Sequence, residues 1–408
     1  VVDASVGAAA LKRFDRERGE ANGLGEVVVL AGLGSGVSME TSCRLVMAPE
    51  WGENADGGKP SPRTRSFRGL SGDFDRALVA AGGSWWELRF GREYMHWGGG
   101  GEEGLLLSRT AGSLDHVGGR LEIGRFALNG FHAVLGQGCS FSCSTTRFLA
   151  GHRLTAALPR GVFIGLAETV LYGSARMEWA YSLPLGIFYV TQANERTNSD
   201  NILYSFDIKA PLRRGVVLSA ELLVDDIQYE RGDDAGPERI AFTVGVDAQR
   251  VASGREWGLS ARYTRVDIYT YEHGYVQSFG NPNTDYVAGD GSYPANPLIG
   301  SALGPDADRW DVALSCGASE RIDCRCEASF IRRGEGNDLD SWYPGLDNDP
   351  PFPSGEALRE TWLAEGCSYD LGGGSRIAAR GGVRLLADGP DDLDRADGFG
   401  RFEVVLDQ

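Results

Sequence analysis

The sequence predicts an all-β fold, a transmembrane antiparallel β-barrel of about 18 strands with short periplasmic turns and long extracellular loops. Three observations predict it. The first is the stretch 147–173, RFLAGHRLTAALPRGVFIGLAETVLYG, which reads as two long strands around a tight turn at Pro159-Arg160. Phe148, Ala150, Leu154, Ala156 and Leu158 share one face, and Gly151, Arg153 and Thr155 share the other. On the second strand Val162, Ile164, Leu166 and Val170 alternate with Gly165, Ala167 and Thr169. Successive strand side chains point to opposite faces. These runs are roughly twice the usual soluble strand of about 5–6 residues, and they match the about 9–11 residues that cross a bilayer on a tilt.

The second observation is the rhythm of the connections. Turns of a few residues alternate with longer loops at 12–24, 49–71, 92–102, 137–146, 174–199, 230–238, 271–308, 334–357 and 388–397. Short turns on one side and long loops on the other are the signature of a bacterial outer-membrane barrel, and they place both termini on the turn side. The third is hydropathy. No apolar run of about 18 residues exists, so no transmembrane helix is predicted. A barrel needs none, because its inner face is polar while its lipid face is apolar.

Taken in order, strands are expected at 2–11, 25–33 and 38–48, then 73–80 and 84–91 around Gly82-Gly83. In the last of these Trp86, Leu88 and Phe90 oppose Trp85, Glu87 and Arg89. A strand at 103–110 and a long one at 120–136 lead to the 147–173 hairpin. Further pairs follow at 200–212 and 215–229, 239–251 and 255–270, 309–319 and 322–333, and 358–370 and 375–387, with a last strand at 398–407. Faces are clean in several: Ile240, Phe242, Val244 and Val246 oppose Thr243, Asp247 and Gln249. No repeat with a period of about 40–50 residues is present, which argues against a propeller. One domain, 1–408, is expected. Val1 begins without a charged region and apolar core, as expected of a mature or truncated chain.

The net charge of −17 and a pI near 4.8 argue against nucleic-acid binding, which needs a basic surface. Seven cysteines leave at least one unpaired. Cys139 and Cys143 are close enough in GCSFSC for a small disulfide, whereas Cys316, Cys324 and Cys326 fall on apolar strand faces and read as small hydrophobes. Cys324-Arg325-Cys326 lacks zinc spacing. The acidic segments Asp306–Asp308 and Asp388–Asp397 lack EF-hand spacing. There is no HExxH and no nucleophile elbow, and GLGSG at 32–36 is followed by no helix. No catalysis, cofactor or metal is expected, and His132 and His152 read as structural.

Several segments resemble the Wzi-type capsule-assembly proteins of bacterial outer membranes. They are GREYMHWGGGGEEGLLLSRTAG (91–112), GRFALNGFHAVL (124–135), AGHRL (150–154), GLAETVLYG (165–173), ELLVDDIQYE (221–230), ARYTRVDIYTY (261–271) and LGPDAD (303–308). They span roughly residues 84–310 in consistent order. The resemblance implies an 18-stranded outer-membrane lectin that holds capsular polysaccharide at the cell surface. The N-terminal helical plug of that family has no counterpart expected in this chain.

Two sets of candidate residues follow. Glu87, Arg89, Arg153, Asp207, Glu221, Asp225, Arg262, Arg325 and Glu327 are expected to face the lumen as a network of arginine–carboxylate pairs. Glu168 joins that set, although its parity places it with Val162, Ile164 and Leu166; Arg153 is its expected partner. The loop aromatics Tyr271, His273, Tyr275, Tyr286, Tyr293, Trp342 and Tyr343 are the expected glycan contacts, because sugar faces stack on rings while hydroxyls bond to neighbouring amides and carboxylates. The expected partners are surface or capsular polysaccharide, outer-membrane lipids including lipopolysaccharide, and other envelope proteins. The expected function is non-catalytic polysaccharide binding or anchoring. A porin-like channel for oligosaccharides or small solutes and a structural anchor subunit of an envelope complex are the alternatives.

Overall fold

The computed structural model describes residues 2–14, 19–32, 36–47, 70–98, 103–138, 145–183, 186–194, 200–226, 237–272, 286, 288, 297–337, 347, 350–387 and 395–407. The strands are β1 (Val2–Phe14), β2 (Gly19–Gly32), β3 (Val37–Met47), β4 (Leu70–Gly82), β5 (Trp86–Tyr94) and β6 (Ser113–Ile123). Next come β7 (Phe126–Gly138), β8 (Thr145–Ala157), β9 (Phe163–Ser174), β10 (Asn201–Arg213), β11 (Val216–Asp226) and β12 (Arg239–Ala252). The rest are β13 (Arg255–Val266), β14 (Ala307–Ser319), β15 (Ile322–Arg333), β16 (Leu358–Gly372), β17 (Ser375–Ala387) and β18 (Arg395–Asp407). One short helix, α1 (Phe188–Asn194), lies between β9 and β10.

All described pairings are antiparallel, and all but that of β1 with β18 join sequence neighbours, as in β8 with β9 from Thr146↔Ser174 to Ala157↔Phe163. Strand β1 is in register with β2 on one side and with β18 on the other. The tight turn after β8 is a 3-10 turn at Pro159–Gly161, in which Arg160 takes a left-handed conformation at φ 64°. Most expected strands fall within a few residues of those observed. Two do not. The stretch 103–110 is not a strand: apart from a bridge between Trp97 and Leu107 it leaves the sheet and folds across one face. The expected strand 120–136 is two strands, split by a turn at Gly124, whose φ of +62° suits glycine.

Register makes each face of the sheet continuous. One face carries Leu88, Phe90, Leu166, Phe206, Leu222, Val244, Trp310, Leu314, Phe330 and Leu363, all exposed. An exposed apolar belt of this extent is what a sheet presents to lipid. The opposite face carries polar and small side chains towards the turn end. Towards the loop end it is covered by residues 103–112, 267–272, 286 and 297–306, whose Leu105, Leu106, Leu107, Tyr271, Tyr286, Leu298 and Ile299 pack on Leu149, Leu171, Leu203 and Leu223.

On the apolar face the register sets Cys324 directly across from Cys367, and the two form a disulfide. Cys324 is therefore not the free small hydrophobe that its position alone predicts; Cys316 and Cys326 are free. Cys139 and Cys143 lie outside the described residues.

Candidate functional site

The covered polar face is held together by carboxylates that project from the strands into the inserted segments. Glu221 on β11 is 2% exposed, and its Oε1 accepts from the backbone N–H groups of Leu105 (3.2 Å) and Leu106 (3.3 Å) and from the Ser205 hydroxyl (3.1 Å). Asp225, four residues further along β11, accepts from the Tyr271 N–H at 2.7 Å. A backbone that leaves the sheet must find partners for its polar groups, and these two side chains supply them. Arg239 of β12 donates to the Glu272 carbonyl at 2.6 Å and pairs with its carboxylate. Glu103 is fixed by Arg309 of β14 at 2.7 Å, and Arg309 also holds Asp311.

Tyr271 and Tyr286 are fully buried and stacked, with ring centroids 5.9 Å apart and planes within 9°. Tyr271 Oη donates to the Leu105 carbonyl (2.7 Å) and accepts from the Ser301 N–H (3.2 Å), while Tyr286 Oη donates to the Leu106 carbonyl (2.8 Å). Burial pushes both phenols up from their ordinary pKa, which keeps them protonated as donors. Gly300 lets the chain pass here: a Cβ on it would sit 2.3 Å from the Leu105 carbonyl oxygen and 2.6 Å from the Tyr271 ring.

This geometry corrects the reading of Tyr271 and Tyr286 as glycan contacts. Neither offers a ring face to solvent; both tie one inserted segment to the other. His273, Tyr275, Tyr293, Trp342 and Tyr343 lie outside the described residues.

The polar candidates divide three ways. Arg89 pairs with Glu87 and with Glu93 (3.1 Å), Arg153 pairs with Asp207 (2.7 Å), and Glu327 is shared by Arg325 (2.7 Å) and Arg380. Glu221 and Asp225 bind loop backbone instead of arginine. Arg262 lies against Gly245, and its Nε has no partner among the described residues.

Glu168 is the exception, and its expected partner Arg153 is corrected. Arg153 stands on the polar face with Asp207, whereas His152 is registered directly across from Glu168 on the apolar face and meets it at 3.1 Å. The pair escapes lipid because the segment after β9 folds down over it. The N–H of Phe188, at the start of α1, donates to Glu168 Oε1 at 3.0 Å, and Phe188 packs with Phe148, Val170, Tyr172 and Tyr181. His132 bridges the same strap to the wall, bonding Tyr172 Oη (2.7 Å) and Ser182 Oγ (2.8 Å).

Sequence reasoning missed Glu103, Arg309 and Asp306. Buried Asp306 accepts from the N–H groups of Gly336 and Ser354, both at 3.0 Å, fastening the segment after β15. Asp308 is taken by Arg332 and Tyr263. The run LGPDAD thus binds backbone and arginine, a role that its acidity alone did not distinguish from cation binding.

An apolar belt around a sheet whose polar face is filled by its own loops defines an outer-membrane β-barrel. The family described as capsule assembly protein Wzi matches residues 3–339, a wider stretch than 84–310, and the chain belongs to that family. Among solved structures, it is similar to Wzi of Escherichia coli, an outer membrane protein involved in group 1 capsule assembly and a carbohydrate-binding β-barrel. That likeness has 13% identity and a TM-score of 0.63, over 98% of this chain and 84% of that one. It is also similar to OccD3 of Pseudomonas aeruginosa (11% identity, TM-score 0.55, 100% of this chain and 91% of that one). OccK10 of the same organism gives 12% identity and a TM-score of 0.54, over 100% of this chain and 99% of that one. No curated protein sequence matches the chain.

Proposed function

We propose that the chain is a closed, single-domain barrel of 18 strands, residues 1–408, that binds or anchors capsular polysaccharide at the outer-membrane surface without catalysis. Pairing of β1 with both β2 and β18 supports closure. One observation carries the functional reading: the described parts of the family-like segments, 91–98, 103–112, 221–226, 261–271 and 303–308, are the ones that build the packed insert and its anchors on the inner face. They are spent on filling the barrel and holding its loops, not on lining an aqueous path. Loops so fastened form a preorganised outer surface, which favours binding a large polymer. Tyr275, Tyr293, His273, Trp342 and Tyr343 are the residues assigned to stack on it. Lipopolysaccharide around the belt and other envelope proteins are the further partners of this reading.

The likeness to OccD3 and to a BenF-like porin of Pseudomonas fluorescens keeps a porin-like channel as the second reading. Single-channel conductance in planar bilayers, with surface glycans then titrated in, separates the two. The polysaccharide-binding reading predicts a silent barrel that retains polysaccharide. Large steady conductance blocked by small sugars would overturn it in favour of the porin.

A further inference from the structure

Towards the loops, the apolar face of β13 to β16 ends in a row of charge. Register sets Arg265 of β13, Asp308 of β14, Arg332 of β15 and Arg359 of β16 side by side on that face. Each stands one residue inside the loop end of its strand. The next row towards the turns, on the same face, is Tyr263, Trp310 and Phe330, of which Trp310 is 55% exposed. Aromatic rings at the edge of an apolar belt mark the level of the lipid headgroups. The three guanidinium groups therefore stand at headgroup depth, on the outward side of these rings.

Asp308 organises the row without being presented to the surroundings. It is 1% exposed, and its carboxylate accepts from Arg332 Nε (2.9 Å) and Nη2 (2.5 Å) and from Tyr263 Oη (3.0 Å). Arg265 donates its Nε to Asp267 at 2.6 Å, and its guanidinium lies over the Phe352 ring, 3.7 Å from the centroid. These contacts fix both groups. They leave Arg332 Nη1 and both Nη atoms of Arg265 with no hydrogen-bond partner among the described residues. Arg92, near the loop end of β5 on the same face, is satisfied internally. Asp115, directly across from it, takes its Nε (2.7 Å) and Nη2 (2.8 Å), and the Phe74 carbonyl takes Nη1 (3.4 Å). A fixed guanidinium with donors left over suits the multidentate recognition of phosphate.

Resting on the outer-membrane reading above, we propose that Arg265, Arg332 and Arg359 form a binding site for the phosphates of a phosphorylated glycolipid in the outer leaflet. Its acyl chains lie along Trp310, Phe330 and the apolar belt below them. Position and charge argue for this ligand. The row is at headgroup depth on the lipid-facing side, presents guanidinium groups and hides the carboxylate between them. Width argues for a sugar headgroup: strands are about 4.8 Å apart, so the row spans about 14 Å. A single phosphate covers part of that length, whereas a disaccharide carrying a phosphate at each end reaches along it.

The test uses the full chain in detergent micelles, with folding scored first by heat-modifiable gel mobility; failure to fold would count against the barrel reading itself. Native mass spectrometry then counts retained lipid as one of three probes is titrated in. These are an acylated glucosamine disaccharide with two phosphates, the same lipid without phosphate, and phosphatidylglycerol. The bisphosphorylated glycolipid is expected to bind at least about ten-fold more tightly than either of the others. Arg265→Gln combined with Arg359→Gln leaves the Asp308–Arg332 pair intact and should remove that preference. Arg255→Gln, at the turn end of the same face, should keep it. No preference for the bisphosphorylated glycolipid over either other probe would overturn the proposal. So would a preference that survives in the double variant, or one lost as fully in Arg255→Gln.

Discussion

At the scale of single residues, the barrel interior depends on hydroxyls and carboxylates that serve backbone groups. Tyr271→Phe keeps the stacked ring but leaves the Leu105 carbonyl and the Ser301 N–H without that partner. A cost of about 1–3 kcal/mol is expected, read as a lower urea midpoint in detergent or lipid. The two phenols also set an alkaline limit. Their folded pKa lies above the unfolded value of 10.0, so the folded state holds its protons more tightly there. Their contribution is fully present below about pH 10 and is lost as pH rises beyond it. Urea midpoints measured from about pH 8 to about pH 11 should fall only in the upper part of that range, and less steeply in Tyr271→Phe. None of this was legible in sequence. Aromatic loop residues bind sugars or pack loops with the same composition, and only the 0% exposure of Tyr271 and Tyr286 separates the two roles.

At the scale of elements, two segments do the work that distinguishes this barrel from a bare wall. The insert 103–112 is fastened by Glu221, so Glu221→Ala should free its Leu105 and Leu106 N–H groups, cost about 2–4 kcal/mol, and raise protease cleavage of that segment. Gly300→Ala drives a Cβ into a backbone oxygen that cannot move aside, and the same cleavage is expected. The strap after β9 is the second segment. Glu168→Ala leaves the Phe188 and Tyr189 N–H groups unpaired beside lipid and should release α1 from the wall, seen as faster labelling of a reporter cysteine at Phe188.

The hairpins were readable because two-residue alternation and short turns are local properties of the chain. The insert was not. Leu105-Leu106-Leu107 is a continuous apolar run, which a strand and a packed loop share, and the preceding glycines at 98–101 were the only hint of a departure from the sheet. The disulfide was hidden for the same reason: Cys324 and Cys367 are 43 residues apart and meet only through register.

At the scale of the whole molecule, the charge of −17 and low hydropathy are reconciled by sidedness, with apolar side chains on the outer face and ion pairs such as Arg153–Asp207 and Arg384–Glu360 inside. That sidedness was legible as a pattern, while the filling of the interior was not, because it depends on contacts between distant loops. The proposed retention of polysaccharide at the cell surface rests on family membership and on the filled inner face. The most direct test is an equilibrium binding isotherm for purified capsular polysaccharide against the protein reconstituted in vesicles, repeated with Tyr275, Tyr293, Trp342 and Tyr343 changed to alanine. Saturable binding that weakens at least about ten-fold in the combined variant is the expected result. Binding that never saturates, or that is indifferent to all four substitutions, would contradict the account.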